Sequence, residues 1–451
     1  MNSQNSVLLT DLYQLTMLQA YFREGMEETA VFEFFIRDLP EGRGFFVTAG
    51  LEQALQYLEG LRFTEDELQW VRDYPLFDHD FVDYLAQLRF TGDVHAMREG
   101  TVCFPNEPLL RITAPLPQAQ LVESRLINIL HFQTLIASKA ARCVLAAPDK
   151  LLVDFGFRRA HGAEAGLMAA RAAYLAGFSG TATVLANRLL GIPVFGTMAH
   201  SFIEAHDVET DAFEQFARAQ PENVTLLIDT YDTETAARKL TRIAPRLAQQ
   251  GIHIRAVRLD SGDLGQHARA VREILDRGGL RGVHIFSSGN LDEHKVKQLL
   301  DSKAPIDGFG IGTHLDTSSD APYLDCAYKL MEYDDIPRRK KSEGKASWPG
   351  RKQVYRHYGG DSRMERDLVA LETEAQGGEQ LLWKIMSEGR RLAPAEPLSE
   401  ARLHARNQLA LLPDGLRRLH PTLAYEVEVS QAIRDLAQQI DERQAAVSAN
   451  D

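Results

Sequence analysis

The feature that most constrains the fold of this chain is a repeated alternation of strand and helix patterns after residue 150. Short apolar runs are followed by polar turns and then by helical patterns, an order that indicates parallel βαβ units. The runs are LLVDFGF (151–157), GIPVFG (191–196), VTLLID (224–229), HIRAVRLD (253–260), VHIFSS (283–288), IDGFGIG (306–312) and CAYKLMEY (326–333). About seven such strands in this length favour a compact or incomplete parallel α/β barrel, with an open doubly wound sheet as the alternative.

The segments on either side mix strand and helix patterns without a regular alternation. The predicted elements are a helix over 8–22 that opens at Thr10 or Asp11, strands at 31–36 and 43–48, a long helix from Pro117 to about Arg142, and strand-like pieces KQVYRHY and DLVAL after residue 351. We therefore predict a first domain of residues 1–147, a barrel domain of residues 148–335 and a C-terminal segment of residues 350–451. The basic stretch 336–352 is interpreted as a solvated loop, with a lid over the site as the alternative.

Composition excludes several classes of function. A formal net charge of −13 argues against general nucleic-acid binding and against adhesion to anionic membranes. Cys103, Cys143 and Cys326 lie far apart without a CxxC pair, so neither a disulfide framework nor a cysteine zinc site is expected. The N-terminus lacks the pattern of a signal peptide, and no apolar run approaches the ~18–20 residues of a membrane span. We expect a cytoplasmic protein.

Polar and small residues are concentrated just after the apolar runs. Ligands of parallel α/β proteins bind at the carboxyl ends of the strands, so these residues form the candidate site. They are Arg158, Arg159, Thr197, His200, Asp229, Thr230, Asp232, Arg258, Asp260, Ser261, Asp263, Ser287, Ser288, Gly289, Asn290, Gly310, Gly312 and Thr313.

The residue types at these strand ends suit an anionic sugar phosphate. The glycines of SSGN (287–290) and GIGT (310–313) can give backbone N–H groups to a phosphate, which barrel enzymes commonly bind after their last two strands. Asp260 and Asp263 could accept hydrogen bonds from sugar hydroxyls or hold water on Mg²⁺. For Asp263, a role as a helix cap fits the sequence equally well. Arginines can hold a carboxylate or a diphosphate, and one of the adjacent Arg158 and Arg159 is expected to point away into a salt bridge.

Seven segments, taken in order, resemble nicotinate phosphoribosyltransferases. They are LLTDLYQLTM (8–17), FGFRRAHG (155–162), GTMAHSF (196–202), VRLDSGDL (257–264), SSGNLDE (287–293), GIGTHL (310–315) and GRKQVYR (350–356). The resemblance implies the type II phosphoribosyltransferase fold, an irregular, incomplete parallel α/β barrel beside an open-faced α/β sandwich in which residues 350–451 complete the first domain of residues 1–147. It also implies a homodimer with shared active sites, in which Tyr13 stacks on the nicotinate ring.

The reaction that the resemblance implies joins nicotinate to 5-phosphoribosyl 1-diphosphate and yields nicotinate mononucleotide and diphosphate. ATP hydrolysis is coupled to it through a phosphohistidine at His200, and Mg²⁺ accompanies ATP and the diphosphate, with no zinc. Carried onto this sequence, Asp260 binds the ribose, and Ser288, Gly289, Asn290, Gly310, Gly312 and Thr313 form the 5′-phosphate site. Thr197 and Arg258 face nicotinate, with Arg158 or Arg159 nearby, and Lys139 and Arg142 are further candidates for the diphosphate.

Two other functions fit the same sequence less well. A nicotinamide phosphoribosyltransferase would share the fold, but the arginines favour a carboxylate over a neutral amide. A phosphosugar-binding barrel protein would keep the pocket without transfer activity.

Overall fold

The computed structural model describes residues 6–342 and 345–448. The chain forms two compact units, the first made of Met1–Ser138 with Tyr323–Asp451 and the second of Lys139–Pro322. These bounds differ from the predicted 148 and 335. The predicted basic loop at 336–352 includes residues 343–344, which lie outside the described part.

The elements are numbered in chain order. Up to the division, which falls within α6, they are α1 (Leu12–Glu24), β1 (Thr29–Ile36), β2 (Phe46–Val47), α2 (Leu51–Glu59), α3 (Glu65–Asp73), α4 (His79–Gln87), β3 (Asp93–Ala96), β4 (Val102–Cys103), β5 (Pro108–Pro115), α5 (Leu116–Leu121) and α6 (Glu123–Ala146).

The second unit follows with β6 (Leu151–Asp154), a 3-10 turn (Phe157–Arg159), α7 (Ala163–Ala176), β7 (Gly180–Thr181), α8 (Val184–Leu190), α9 (His200–Glu204), α10 (Glu209–Ala219), β8 (Thr225–Leu227), α11 (Thr233–Ala248), β9 (Ala256–Leu259), α12 (Leu264–Arg277), β10 (His284–Ser287), α13 (Glu293–Asp301), β11 (Gly308–Ile311) and α14 (Thr313–Asp316).

The chain then completes the first unit with β12 (Cys326–Tyr333), β13 (Ile336–Pro337), β14 (Lys352–Tyr358), β15 (Met364–Leu371), β16 (Glu379–Gln380), β17 (Trp383–Ser387), β18 (Arg390–Arg391), α15 (Leu398–Leu411), β19 (Glu426–Val429) and α16 (Gln431–Ser448).

The first unit is built on a seven-stranded sheet in the order β13-β12-β1-β5-β3-β17-β18, whose pairs are antiparallel. The assignment of 326–333 to the barrel was wrong, because β12 pairs antiparallel with β1. The two strands bury apolar side chains together, and the rings of Phe32 and Tyr328 stack with centroids 4.9 Å apart. An apolar run of this kind packs equally well in either sheet, so its composition carried no information on which sheet it joins.

The second unit contains a six-stranded parallel sheet in the order β7-β6-β11-β10-β9-β8. Strands that follow one another in the sequence are neighbours, except β7 and β8 at the two ends of the order, and the last strand, β11, pairs with the first, β6, with Gly308 opposite Leu151. A doubly wound sheet reverses its strand order instead, so this cyclic order is that of a barrel. Val194 adds a single parallel bridge to Thr181, and no ladder among the described residues joins that segment to β8. The barrel is therefore incomplete, as predicted.

The segment 191–196, predicted as a strand, forms only that bridge. Pro193 has no N–H to donate, and its carbonyl instead accepts from the backbone N–H of Thr181 at 3.1 Å. The two-residue strand β7 was not predicted. The sequence pattern predicts helices over 163–176, around 200–219 and over 264–276. The second of these is divided into α9 and α10, whereas α7 and α12 match the other two ranges to within one residue.

Candidate active site

A cavity of about 270 Å³ opens at the carboxyl ends of the barrel strands. Its lining comes from the loops after β6, β9, β10 and β11, where parallel strands place their following loops side by side. The lining residues are Phe155, Arg158, Arg159, Arg258, Asp260, Ser288, Gly289, Asn290, Gly310, Gly312 and Thr313. Ten of these eleven were predicted from the sequence, and both Arg158 and Arg159 line the cavity, although one had been expected to point away.

Asp260, Arg258 and Ser288 form a hydrogen-bonded cluster in this cavity. The Arg258 guanidinium donates from Nε to Ser288 Oγ and from a terminal nitrogen to Asp260 Oδ1, each over 2.8 Å. The Ser288 hydroxyl donates in turn to Asp260 Oδ1. Burial opposes ionisation of Asp260, but the Ser288 hydroxyl and the Arg258 charge outweigh it and hold the pKa of the carboxyl below its ordinary value. Asp260 is therefore a carboxylate at neutral pH.

Two further side chains hold this cluster in place. Asp229 Oδ2 accepts the backbone N–H of Asp260 at 2.9 Å and the hydroxyl of Ser261 at 2.6 Å. On the other side, the ring of Phe155 lies beneath Arg258, with the guanidinium carbon 5.3 Å from the ring centroid. The arginine is thus fixed by two hydrogen bonds and an aromatic face.

The glycine loop after β10 approaches the backbone of the loop after β9. Gly289 has φ of +99°, and a Cβ at this position would lie 1.9 Å from the carbonyl oxygen of Asp260. Only glycine can occupy this position, because any side chain would collide with backbone. Asn290 also has a left-handed conformation, with φ of 50°, and its side chain is hydrogen-bonded to His314 Nε2 over 2.8 Å.

His200, the first residue of α9, lies next to Asp260. Its Nδ1 is hydrogen-bonded to Thr230 Oγ1 over 3.1 Å, and its Nε2 is 3.9 Å from Asp260 Oδ2. The ring is therefore oriented by one nitrogen and faces the carboxylate with the other. Thr197, three residues earlier, donates to the carbonyl of Met198 over 3.3 Å and is not among the residues that line the cavity.

Several other candidates have structural partners. Asp263 accepts the backbone N–H of Gln266 at 3.0 Å and caps α12, as its alternative interpretation stated. Lys139 and Arg142 are buried, and both form ion pairs with Glu293. Tyr13 lies on α1 of the first unit, where its hydroxyl donates to Glu123 over 3.3 Å. The role assigned to Tyr13 stays a prediction.

Sequence reasoning missed Phe155, Asp154 and His314. Phe155 ends an apolar run and cannot be told from a strand residue by composition, although its position at the strand end was the available signal. His314 follows the predicted GIGT segment directly and could have been included on that ground.

Three models of one family match the chain: the N-terminal domain of nicotinate phosphoribosyltransferase over residues 8–131, the nicotinate phosphoribosyltransferase family over 151–334, and its C-terminal domain over 375–437. A nicotinate phosphoribosyltransferase of Mycobacterium tuberculosis is 48% identical over 433 residues, covering 94% of this chain and 92% of its own. The chain belongs to the nicotinate phosphoribosyltransferase family. The resemblance seen in the sequence is thus confirmed.

Other relatives agree with this assignment. The Bacillus subtilis nicotinate phosphoribosyltransferase is 40% identical, covering 81% of this chain and 76% of its own. The crystal structure of human nicotinic acid phosphoribosyltransferase matches with a TM-score of 0.86 at 29% identity, covering 96% of this chain and 99% of that one. The fold prediction of a type II phosphoribosyltransferase is confirmed by this match.

The described residues contain neither a cluster of metal ligands nor a membrane-spanning helix. Residues 6–342 and 345–448 contain no group of three or more His, Cys, Asp or Glu side chains arranged to hold a metal ion. In the same ranges, no helix combines the length and apolar character needed to cross a membrane.

Proposed function

We propose that this protein transfers the phosphoribosyl group of 5-phosphoribosyl 1-diphosphate to nicotinate, forming nicotinate mononucleotide and diphosphate in the salvage of NAD. The observation that carries the proposal is that one cavity is lined by an ionised Asp260, by three arginines (Arg158, Arg159 and Arg258) and by the glycines that follow β10. Such a cavity can hold an anionic base at one end and a phosphate at the other.

The glycine loops suit the 5′-phosphate of the sugar. Gly289, Gly310 and Gly312 keep side chains out of the cavity, so backbone N–H groups can approach phosphate oxygens. Ser288, Asn290 and Thr313 add side chains that can donate hydrogen bonds. This end of the cavity therefore supplies donors without a fixed charge.

The arginines suit the carboxylate of nicotinate and the diphosphate. Arg258 uses two of its nitrogens within the protein, and its remaining terminal nitrogen has no hydrogen-bond partner among the described residues. That nitrogen can donate to a substrate oxygen. Arg158 and Arg159, on the 3-10 turn across the cavity, add positive charge for the second anion.

Asp260 acts on the sugar. Glycosyl transfer passes through a cation-like ribosyl centre, and a carboxylate held ionised beside it stabilises that charge or orients the ribose hydroxyls. In this step the bond from the anomeric carbon to the diphosphate oxygen breaks, and the bond to the nicotinate nitrogen forms. Mg²⁺ on the diphosphate would neutralise the charge of the leaving group. It would be held mainly by phosphate oxygens, since Asp260 and Asp229 offer only isolated carboxylates here.

We further propose that His200 is phosphorylated by ATP. Because Nδ1 is hydrogen-bonded to Thr230, Nε2 is the nitrogen placed to attack the γ-phosphorus. The N–P bond forms as the bond to the ADP oxygen breaks, and water later hydrolyses phosphohistidine to release inorganic phosphate. A homodimer in which Tyr13 of the partner subunit stacks on nicotinate, and a cytoplasmic location, belong to the same proposal.

The transferase proposal is tested by following nicotinate mononucleotide formation with nicotinate as acceptor and, separately, nicotinamide mononucleotide formation with nicotinamide. We expect product to form with nicotinate and not with nicotinamide. Arg258→Ala should raise the KM for nicotinate by about tenfold or more, which corresponds to the loss of a charge-assisted hydrogen bond of about 1.5–3 kcal/mol. Preference for nicotinamide, or binding of 5-phosphoribosyl 1-diphosphate without turnover, would favour one of the two alternative functions.

The energy-coupling proposal is tested by mass spectrometry of protein incubated with Mg-ATP. Acid-labile phosphate on His200 is expected, and the His200→Ala variant should form product without consuming ATP. His206, on the same part of the chain and hydrogen-bonded to the carbonyl of Phe202, provides the control variant His206→Ala. Product formation without phosphate on His200 would keep the transferase and remove the coupling.

A further inference from the structure

Two buried carboxyl groups meet behind the cavity, outside the catalytic groups described above. Asp154 ends β6, and Asp316 ends the short helix α14 that begins at Thr313. Each residue is only 1% exposed, and both carboxyl groups lie against Gly156, whose N–H donates to Asp154 and whose Cβ position lies 2.2 Å from Cγ of Asp316.

A count of donors shows that this pair needs a proton. Asp154 accepts the backbone N–H of Gly156 and the hydroxyl of Thr181, each over 2.7 Å. Neither oxygen of Asp316 receives an N–H or O–H from the described residues. Two adjacent carboxylates cannot both ionise in a buried site, so one proton lies between them.

The proton belongs on Asp316. Burial and then the neighbouring charge of Asp154 raise the pKa of Asp316 well above its ordinary value. Burial also raises the pKa of Asp154, but Thr181 and Gly156 donate to its carboxylate and limit that rise. Asp316 is therefore the donor of the hydrogen bond, and Asp154 is the acceptor.

Among the described residues near Asp316, no positively charged group takes the place of this proton. The elements packed against α14 are the 3-10 turn, which carries Arg158 and Arg159, and α7, whose titratable groups are Glu164, Arg171 and Tyr174. The charge that acts on the Asp316 carboxyl is that of Asp154. When pH rises through the pKa of Asp316, its proton is lost and the hydrogen bond becomes a repulsion.

The pair joins two loops of the active site that are already in contact. A Cβ at Gly156 would lie 2.2 Å from Cγ of Asp316, and a Cβ at Gly312 would lie 2.8 Å from the carbonyl oxygen of Phe155. The first loop carries Phe155, beneath Arg258, and the second carries the backbone of Gly312 and Thr313. A displacement of one loop therefore moves the other.

We propose that Asp316 is a positioning residue, which holds the loop of Phe155 against the turn of Gly312 and Thr313 through one proton shared with Asp154. It thereby fixes Phe155 and the backbone of Gly312 and Thr313 in the wall of the cavity. The inference rests on the proposed function for the identity of the ligand, 5-phosphoribosyl 1-diphosphate.

The test compares Asp316→Asn with Asp316→Ala in the full chain. The amide of Asn donates to Asp154 as the protonated acid does, whereas Ala removes the bond. Asp316→Ala should raise both the Kd, measured by calorimetry, and the KM for 5-phosphoribosyl 1-diphosphate by about tenfold, with kcat changed by less than about threefold. Asp316→Asn should restore values near those of the wild type. Asp301→Asn, at the exposed end of α13, is the control and should leave both constants unchanged.

The pH dependence and the infrared spectrum give readouts that a merely structural role would not move. The Kd of the wild type should rise on the alkaline side as the proton is lost, while that of Asp316→Asn stays flat, because an amide does not titrate. In the infrared difference spectrum between wild type and Asp316→Asn at neutral pH, a C=O absorption of a protonated carboxylic acid should be lost from the variant, while the buried Glu107, whose pKa is also raised by burial, contributes equally to both proteins.

Each outcome decides between the proposals. A folded Asp316→Ala variant with wild-type Kd, an Asp316→Asn variant as impaired as Asp316→Ala, or a difference spectrum without the acid band would overturn the positioning role. A wild type that binds 5-phosphoribosyl 1-diphosphate without forming product would remove the proposed function, while the Kd series still decides the role of Asp316. A wild type that does not bind it would overturn both.

Discussion

The two compact units each contain a cluster of the same four kinds of group: an arginine, an aspartate, a hydroxyl and a phenylalanine ring. In the barrel unit these are Arg258, Asp260, Ser288 and Phe155, with the guanidinium carbon 5.3 Å from the ring centroid. Arg258 and Asp260 keep 13% and 26% of their side-chain surface exposed, and both line the cavity.

In the first unit the corresponding groups are Arg356, Asp367, Tyr425 and Phe104, with the guanidinium carbon 5.7 Å from the ring centroid. Arg356 and Asp367 are both 0% exposed. Arg356 donates from two nitrogens to the carboxylate and from the third to Gln408 over 3.0 Å. Every nitrogen of this guanidinium is used within the protein.

The two clusters contain the same kinds of group. They differ in how many guanidinium nitrogens are bonded within the protein and in whether the guanidinium is exposed. A fully buried guanidinium whose three nitrogens are all bonded within the protein stabilises the packing of β14 against β15 and is out of reach of a ligand. A guanidinium held by two nitrogens, with the third facing a cavity, is positioned and still able to bind. Three substitutions can break or sharpen this comparison.

The largest effect is expected from Asp367→Asn, which removes the carboxylate bonded to the buried Arg356 guanidinium; the other carboxyl that acts on this charge, Glu107, has a pKa raised by burial. The free energy of unfolding of the first unit should fall by about 3–5 kcal/mol. Trp70, Trp348 and Trp383 all lie in this unit, and the barrel unit has no tryptophan, so the midpoint of urea unfolding followed by tryptophan fluorescence reports on this unit alone.

Asp414→Asn is the matched control for that substitution. Asp414 is 82% exposed, and its nearest contact to Arg363 is 3.6 Å, so its removal should change the free energy by less than about 0.5 kcal/mol. Equal midpoints for the two variants would show that the buried cluster does not stabilise the unit.

A smaller effect is expected from Asp260→Asn in the barrel cluster, which should raise the activation free energy of the reaction by about 2.7–4 kcal/mol. The amide keeps the shape of the side chain but not the charge beside the ribosyl centre, so kcat should fall by about 10²–10³. The measurement is nicotinate mononucleotide formation at saturating substrates. Asp263→Asn, in the same loop, should leave kcat nearly unchanged, because Asn caps a helix as well as Asp. Similar losses in both variants would mean that the loop, and not the Asp260 charge, had been disturbed.

The smallest effect is expected from Ser288→Ala, which removes a hydrogen bond to Asp260. Because that bond lowers the pKa of Asp260, its loss moves the pKa up toward the ordinary value. The active carboxylate is present above this pKa, so the acid limb of kcat/KM against pH should move to higher pH. Ser287→Ala is the control, since the Ser287 hydroxyl has no hydrogen-bond partner among the described residues. Profiles that coincide for wild type and Ser288→Ala would contradict the assigned cause.

Most of the cavity could be predicted from the sequence, because parallel strands bring the residues after them to one edge. Arg258, Asp260 and the glycines were found in this way, from apolar runs followed by polar residues. The rule failed at 191–196, where Pro193 prevents a regular ladder, and it placed Thr197 at a strand end that does not exist. It also missed Phe155, since an aromatic residue continues an apolar run without any change of pattern.

The sequence by itself indicated the alternation of strands and helices and most of the loops that carry the site, because hydrophobic periodicity and chain order are local properties. Only the tertiary structure decided which polar groups have partners. Lys139 was a candidate for the diphosphate until Glu293 and Asp320 were seen beside it, and Asp316 was an unremarked residue until Asp154 was found against it. Burial and proton sharing depend on residues far apart in the chain, and no local pattern records them.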